Sequence, residues 1–206
     1  GAALSASIER GLKEGASEAV EALLKGQEPL DIINRYMIPA LDHVGKGFEK
    51  GTLFLPQLLM SAEAAKAAFE VIKEKMEQSG QVQEKKGRII LATVKGDIHD
   101  IGKNIVKVLL ENYSYEVLDL GKDVPPETIV KTAVEKKVTL VGLSALMTTT
   151  VPNMEETIRQ LKQSDPSIRV MVGGAVLTEE YAAAIGADAY CKDAMASVNY
   201  AQEIFG

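Results

Sequence analysis

The sequence predicts a helical bundle followed by a doubly wound α/β domain whose sheet has five parallel strands. Three observations predict it. Residues 1–80 contain apolar stripes at three- and four-residue spacing and no convincing strand. Residues 88–206 alternate short apolar or β-branched runs with amphipathic helical segments, the pattern of βα units wound into a parallel sheet. Between them, the polar stretch from Gln78 to Gly87 has glycine near each end and reads as a linker, with its centre at 81–87.

The first part divides into four helices, punctuated by Gly15, by Gly26 with Pro29, and by Gly51 through Pro56. The third helix carries Ile32, Tyr36, Met37, Ala40, Leu41, Val44 and Phe48 on one stripe. The fourth carries Leu55, Leu58, Leu59, Ala62, Ala65, Phe69, Ile72 and Met76. Pro56 falls in a first turn, where its missing N–H costs little. In the second part, strands fall near 88–94, 115–121, 139–146, 168–174 and 187–191, with helices near 102–113, 126–137, 151–164, 178–185 and 194–204. Four of the strands have the apolar character of strands buried on both faces; Ala187 to Cys191 is the weak one.

Composition narrows the class. The chain has 206 residues, 46% hydrophobic and 25% charged, as in a soluble globular protein. No apolar run approaches the roughly 20 residues that span a bilayer, so no membrane partner is expected, and no basic, apolar leader precedes the first helix, so no secretory signal is expected. A net charge of −6 without a Lys/Arg block argues against nucleic acid. Cys191 is the only cysteine, which rules out an intrachain disulfide and suits a reducing, cytoplasmic setting. It reads as a small buried side chain.

The chemistry concentrates in Gly96-Asp97-Ile98-His99-Asp100-Ile101-Gly102, between the first strand and its helix. Ligands of open α/β sheets bind at the carboxyl ends of the strands, and a loop built on His and Asp points to metal ligation. The third strand leaves through the hydroxyl-rich Ser144 to Thr150, and the fourth through Gly173-Gly174, where another backbone or a ligand can come close. With strand order 2-1-3-4-5, these three loops line one crevice.

Plainer readings compete. His99 alone could be a loop histidine at a helix start. Gly-Asp-x-His also occurs in binuclear metallophosphatases, but two metals about 3.5–4 Å apart need many more ligands, and the only other histidine is His43, inside a helix. His43 reads as a surface or packed helix residue, Met147 and Met154 as packing residues, Glu9, Glu14, Glu18 and Glu21 as a solvated face, and Asp100 and Lys103 as helix-start and surface residues.

Asp97-x-His99-x-x-Gly102, Ser144-x-Leu146 and Gly173-Gly174 together resemble the signature of cobalamin-binding domains that hold the cofactor with its own base displaced. The stretch Ala92 to Val106 is similar to cobalamin-dependent methionine synthase, and Phe48 to Gln57 resembles that enzyme's helical cap. The resemblance implies that His99 ligates cobalt from the lower face and that Asp97 fixes its tautomer through the other ring nitrogen. The Thr150 hydroxyl, at a position often occupied by serine, would extend that chain toward solvent. Gly96, Asp97, Ile98, His99, Asp100, Ile101, Gly102, Ser144, Leu146, Thr148, Thr150, Gly173 and Gly174 would contact the cofactor. Of these, Ser144, Thr148 and the glycine pair line the slot for its nucleotide tail, near Ala194.

Phe48, Leu55 and Leu58 would shield the upper face, in a cap able to swing away on the linker. Asn34 stands where methionine synthase has a glutamate. The implied function is that of a corrinoid methyl carrier. It would accept a methyl group on cob(I)alamin from a substrate-specific methyltransferase, then donate it from methylcobalamin to a second one using tetrahydrofolate or coenzyme M. A reductive activator would maintain the cofactor. A cobalamin sensor would need an output module, and the small subunit of an adenosylcobalamin mutase would not need the cap.

Overall fold

Gly11, rather than the expected Gly15, separates the first two helices. Helix α1 (Ala2–Glu9) ends where Gly11 takes φ +70°. Leu12 N–H then donates to Ser7 O at 2.8 Å and Gly11 N–H to Ile8 O at 3.0 Å, satisfying carbonyls the helix leaves open. A side chain at position 11 would also sit 2.6 Å from Met60 Cβ. Gly15 lies within α2 (Lys13–Leu23).

The third rod is α3 (Pro29–Ile32), a π-helical turn over Ile33–Met37, and α4 (Ile38–Glu49). Ile38 N–H reaches back to Ile33 O. Pro39 has no N–H to offer one turn back, and the widened turn relieves the clash its ring would otherwise make. Helix α5 (Leu55–Gln78) opens with Phe54 N–H donating to Gln57 Oε1 at 2.7 Å. Its alanine-rich stripe Ala62, Ala64, Ala65 and Ala68 is fully buried, and α2 packs closely along this helix. These rods are the four expected helices.

The computed structural model describes residues 1–80 and 85–206, together with the backbone but not the side chain of Ile101. The chain divides into two compact units, Gly1–Glu84 and Lys85–Gly206. Most of the linker expected at 81–87 lies outside the described residues.

The second unit runs β1 (Arg88–Thr93), α6 (Ile101–Asn112), β2 (Glu116–Asp119), α7 (Pro126–Glu135), β3 (Leu140–Ser144), α8 (Val151–Ser164), β4 (Arg169–Gly173), α9 (Glu179–Ala184), β5 (Ala189–Tyr190) and α10 (Ala194–Phe205). The sheet order is β2-β1-β3-β4-β5, parallel throughout, so the exits of β1, β3 and β4 are neighbours as expected. The weak fifth strand pairs over two residues only, Ala189 with Met171 and Tyr190 with Val172.

Alternation assigns the two faces of the sheet. Ile90, Val141, Leu143, Val170 and Val172 pack with Ile129, Met154, Ile158 and Leu161 of α7 and α8 into one apolar core. The opposite face presents Leu91, Thr93, Gly142, Ser144, Met171 and Gly173. At its centre a Cβ on Gly142 would come within 2.6 Å of Leu91 Cδ2 and 3.0 Å of Met171 Cε, so small residues keep this face open. Among the described residues, no helix is long and apolar enough to cross a membrane.

Candidate functional site

The site is assembled by the turn that follows β1. Asp97 N–H closes the turn on Val94 O at 3.0 Å, and Gly96, at φ +85°, donates its N–H to Asp123 Oδ1 at 2.7 Å. This drives the Asp97 side chain inward, where it is fully buried. Its two oxygens face different partners. Oδ1 accepts from the His99 backbone N–H at 3.0 Å and pairs with His99 Nδ1 at 2.8 Å. Oδ2 accepts from Leu146 N–H at 2.8 Å, Met147 N–H at 3.3 Å and the Thr150 hydroxyl at 2.8 Å.

Burial alone would raise the Asp97 pKa. The bonds from Leu146 N–H, His99 N–H, the Thr150 hydroxyl and the His99 ring outweigh it and hold the carboxyl well below the usual carboxylate range. Asp97 is therefore an anion whose Oδ1 is aimed at Nδ1. The proton belongs on Nδ1, which leaves the Nε2 lone pair free on a ring 45% exposed. An imidazole held by a carboxylate through one ring nitrogen, with the other turned outward, is suited to ligate a metal.

Beside His99 opens a cavity of about 620 Å³ between the open face of the sheet and helices α6 and α10. Ile98, His99, Asp100 and Gly102 from the first loop, Ser144 and Leu146 from the third strand's exit, Gly173 and Gly174 from the fourth, and Ala194 at the start of α10 all line it, as the sequence anticipates. Ile98 and Leu146, 62% and 40% exposed, form an apolar rim. Gly96, Asp97 and Thr150 do not line the cavity and act from behind His99. Thr148 is exposed and lies off the lining.

Two expectations, for Thr150 and Lys103, change in detail, and one, for Gly174, narrows. Thr150 is buried and its hydroxyl also lies 2.9 Å from Met147 O, so it closes the space around Asp97 instead of leading out to solvent. At Gly174, φ +141°, of the two expected neighbours, backbone or ligand, it is the backbone that comes close: a Cβ there would fall 1.8 Å from Ala145 O. Lys103, read from sequence as a surface residue, is buried in the cavity wall with Nζ 2.5 Å from Asp119 Oδ1. Burial pushes the Asp119 carboxyl up, but Lys103, Gly121 N–H and Lys107 together bring it below its ordinary value. Thr93, absent from the sequence-based site, is fully buried with its hydroxyl 2.8 Å from that of Ser144. In the helical unit, Phe48 is half-buried, Leu55 exposed and Leu58 buried.

The donor set and the cavity fit a corrinoid. Nε2 offers one neutral nitrogen at the rim, the apolar flanks suit a macrocycle, and the narrow cleft over Gly142 and Ser144 suits a long side arm. Among the described residues there is no cluster of three or more His, Cys, Asp or Glu able to hold a bare metal ion.

Comparison with known proteins leads to the same place. A B12 binding domain model matches residues 87–199, and a second B12 binding domain model matches residues 2–73. Trimethylamine corrinoid protein 2 of Methanosarcina acetivorans is 44% identical over 190 residues, 91% of this chain and 88% of that protein. Dimethylamine corrinoid protein 1 of the same organism is 40% identical over 194 residues, 93% of this chain and 91% of that protein. A solved cobalamin-binding protein from Desulfitobacterium hafniense DCB-2 superposes with a TM-score of 0.83 at 30% identity, covering 99% of this chain and 98% of that one. A chain of the methanol:cobalamin methyltransferase complex MtaBC from Methanosarcina barkeri gives 0.81 at 28% identity, covering 98% and 78%. With both domain models matched and such relatives along nearly its whole length, the chain belongs to the B12-binding family of corrinoid proteins.

Proposed function

We propose that this chain is the methyl-carrying corrinoid subunit of a methyltransferase system, with His99 as the lower axial ligand of cobalt. The observation that carries the reading is the buried Asp97 carboxylate bonded to His99 Nδ1, with Nε2 left free beside a cavity of about 620 Å³ at the carboxyl ends of the strands. When bound, the corrinoid supplies a cobalt centre that takes a methyl group from one partner enzyme and yields it to another. Asp97 would hold the proton on Nδ1 and so keep the Nε2 lone pair available to the metal, and its buried carboxylate would balance positive charge beside it.

Ile98 and Leu146 keep water from the ligating nitrogen. Ser144, Gly173 and Ala194 receive the nucleotide arm. Phe48, Leu55 and Leu58 of the helical unit are the residues proposed to cover the reactive face, and the segment around 81–87 is the proposed hinge. The partners are a substrate-specific methyltransferase, a second methyltransferase using tetrahydrofolate or coenzyme M, and a reductive activator. Relatives named for dimethylamine and trimethylamine support a methylated amine as the methyl source.

The test is electron paramagnetic resonance of the cob(II)alamin-loaded protein, prepared with natural-abundance or ¹⁵N-labelled histidine. Ligation by His99 changes the axial-nitrogen splitting from a triplet to a doublet on labelling, and His99→Gly removes the dependence on label. A triplet in the labelled protein would overturn His99 as ligand. Methyl transfer from a methylated amine, followed spectrally in the presence of a cognate methyltransferase, tests the carrier role.

A further inference from the structure

Thr93 ends β1 and Ser144 ends β3, and the parallel register sets them side by side on the open face of the sheet. Their hydroxyls lie 2.8 Å apart. Each hydroxyl has one proton to give and can accept in return. Thr93 is 0% exposed, and among the described residues Ser144 is the hydrogen-bond partner of its hydroxyl. Ser144 lines the cavity.

The two directions of this bond are not equivalent. If Ser144 donates, the Thr93 proton is buried without an acceptor, which is unfavourable. If Thr93 donates, both hydroxyls are served: Thr93 spends its proton, and Ser144 keeps its own free to point into the cavity. Burial of Thr93 therefore sets the polarity of Ser144. We infer that Thr93 is a positioning residue that turns Ser144 into a hydrogen-bond donor toward the cavity, selecting corrinoids whose displaced base carries an unprotonated ring nitrogen. The inference rests on the reading of the cavity as the seat of the nucleotide arm. A benzimidazole or purine base offers such a nitrogen. A phenolic base does not, and a corrinoid lacking the nucleotide altogether is indifferent to the device.

The experiment measures dissociation constants of the full chain for hydroxocobalamin and for cobinamide, which lacks the nucleotide, in wild type, Thr93→Val, Thr93→Ser, Ser144→Ala and the Thr93→Val/Ser144→Ala pair. Thr93→Val keeps the shape and removes the donor. It leaves Ser144 its own proton but removes the donor that fixes its orientation, and is expected to weaken hydroxocobalamin binding about fivefold, no more than losing one neutral hydrogen bond would, with cobinamide binding unchanged. Thr93→Ser restores the wild-type value. Because Thr93 acts through Ser144, Thr93→Val adds no loss on the Ser144→Ala background.

Parallel losses for both corrinoids, an additive loss in the double variant, or no loss in Thr93→Val would each overturn the assignment. If the valine variant does not fold, Thr93→Cys, close in size and a weak donor, provides the same comparison. Wild-type protein that binds neither corrinoid defeats the functional reading itself. Wild-type binding without base-selective loss in the variants defeats only the role of Thr93.

Discussion

Replacing Asp97 with Asn keeps the side chain's shape and removes its charge, and the geometry dictates how the loop must respond. Both carboxylate oxygens are occupied by donors: Oδ1 by the His99 N–H and ring, Oδ2 by Leu146 N–H, Met147 N–H and the Thr150 hydroxyl. The new NH₂ must face one set or the other. Facing Leu146, Met147 and Thr150, it meets two backbone donors that have no alternative. Facing His99, it meets one such donor and an imidazole nitrogen that can become an acceptor. The second arrangement costs less, so the ring proton moves from Nδ1 to Nε2.

One half-buried N–H is left unpaired, and the remaining bonds lose their charge assistance. Together these amount to about 3 kcal/mol. Urea unfolding measures the stability, and long-range ¹H–¹⁵N spectra of the histidine ring identify the tautomer. A loss below about 1 kcal/mol, or an Nε2 that stays unprotonated in Asp97→Asn, would refute the reasoning. The same variant should lose the histidine-dependent electron paramagnetic resonance splitting, because the ligating lone pair is gone.

Acid should act through the same carboxyl. Its folded pKa is depressed below the ordinary 3.8, so its contribution to stability is fully present above that value and is lost as pH falls through the folded one. The urea midpoint of wild type should therefore fall more steeply below about pH 4 than that of Asp97→Asn, and parallel curves would count against it. Gly174→Ala forces a Cβ onto the Ala145 carbonyl and is expected to cost about 3 kcal/mol and to release hydroxocobalamin on gel filtration; wild-type retention and stability would contradict the close-approach argument. Lys103→Met leaves Asp119 with Gly121 N–H and the more distant Lys107 at 3.6 Å, and should cost about 2 kcal/mol in urea; an unchanged midpoint would mean the buried pair adds nothing.

Much of the second unit was legible because strands buried on both faces write themselves as apolar runs, and the helices between them repeat at 3.6 residues. The Asp97–His99 pair was legible because a two-residue spacing within one turn brings the groups together whatever happens elsewhere. The first helix boundary was misread at Gly15, since what requires glycine at position 11 is a packed neighbour, Met60, far along the chain. The π-helical turn before Pro39 was not anticipated, because the apolar stripe around it looks continuous. Lys103 was misjudged for a similar reason: its charge suggested solvent, and only the nearby end of β2 supplies the carboxylate that permits burial.

Sequence by itself determined the layered α/β order, the loop that presents His99, and membership in the B12-binding family, because each depends on residues close together in the chain or on a motif with fixed spacing. Tertiary structure alone decided the pairing of the Thr93 and Ser144 hydroxyls, the sealing of Asp97 by Thr150 and the reason for Gly174. Those depend on strand register and on which groups are shut away from water. Once a hydroxyl or carboxylate has no solvent to turn to, its few neighbours set the state in which it can act.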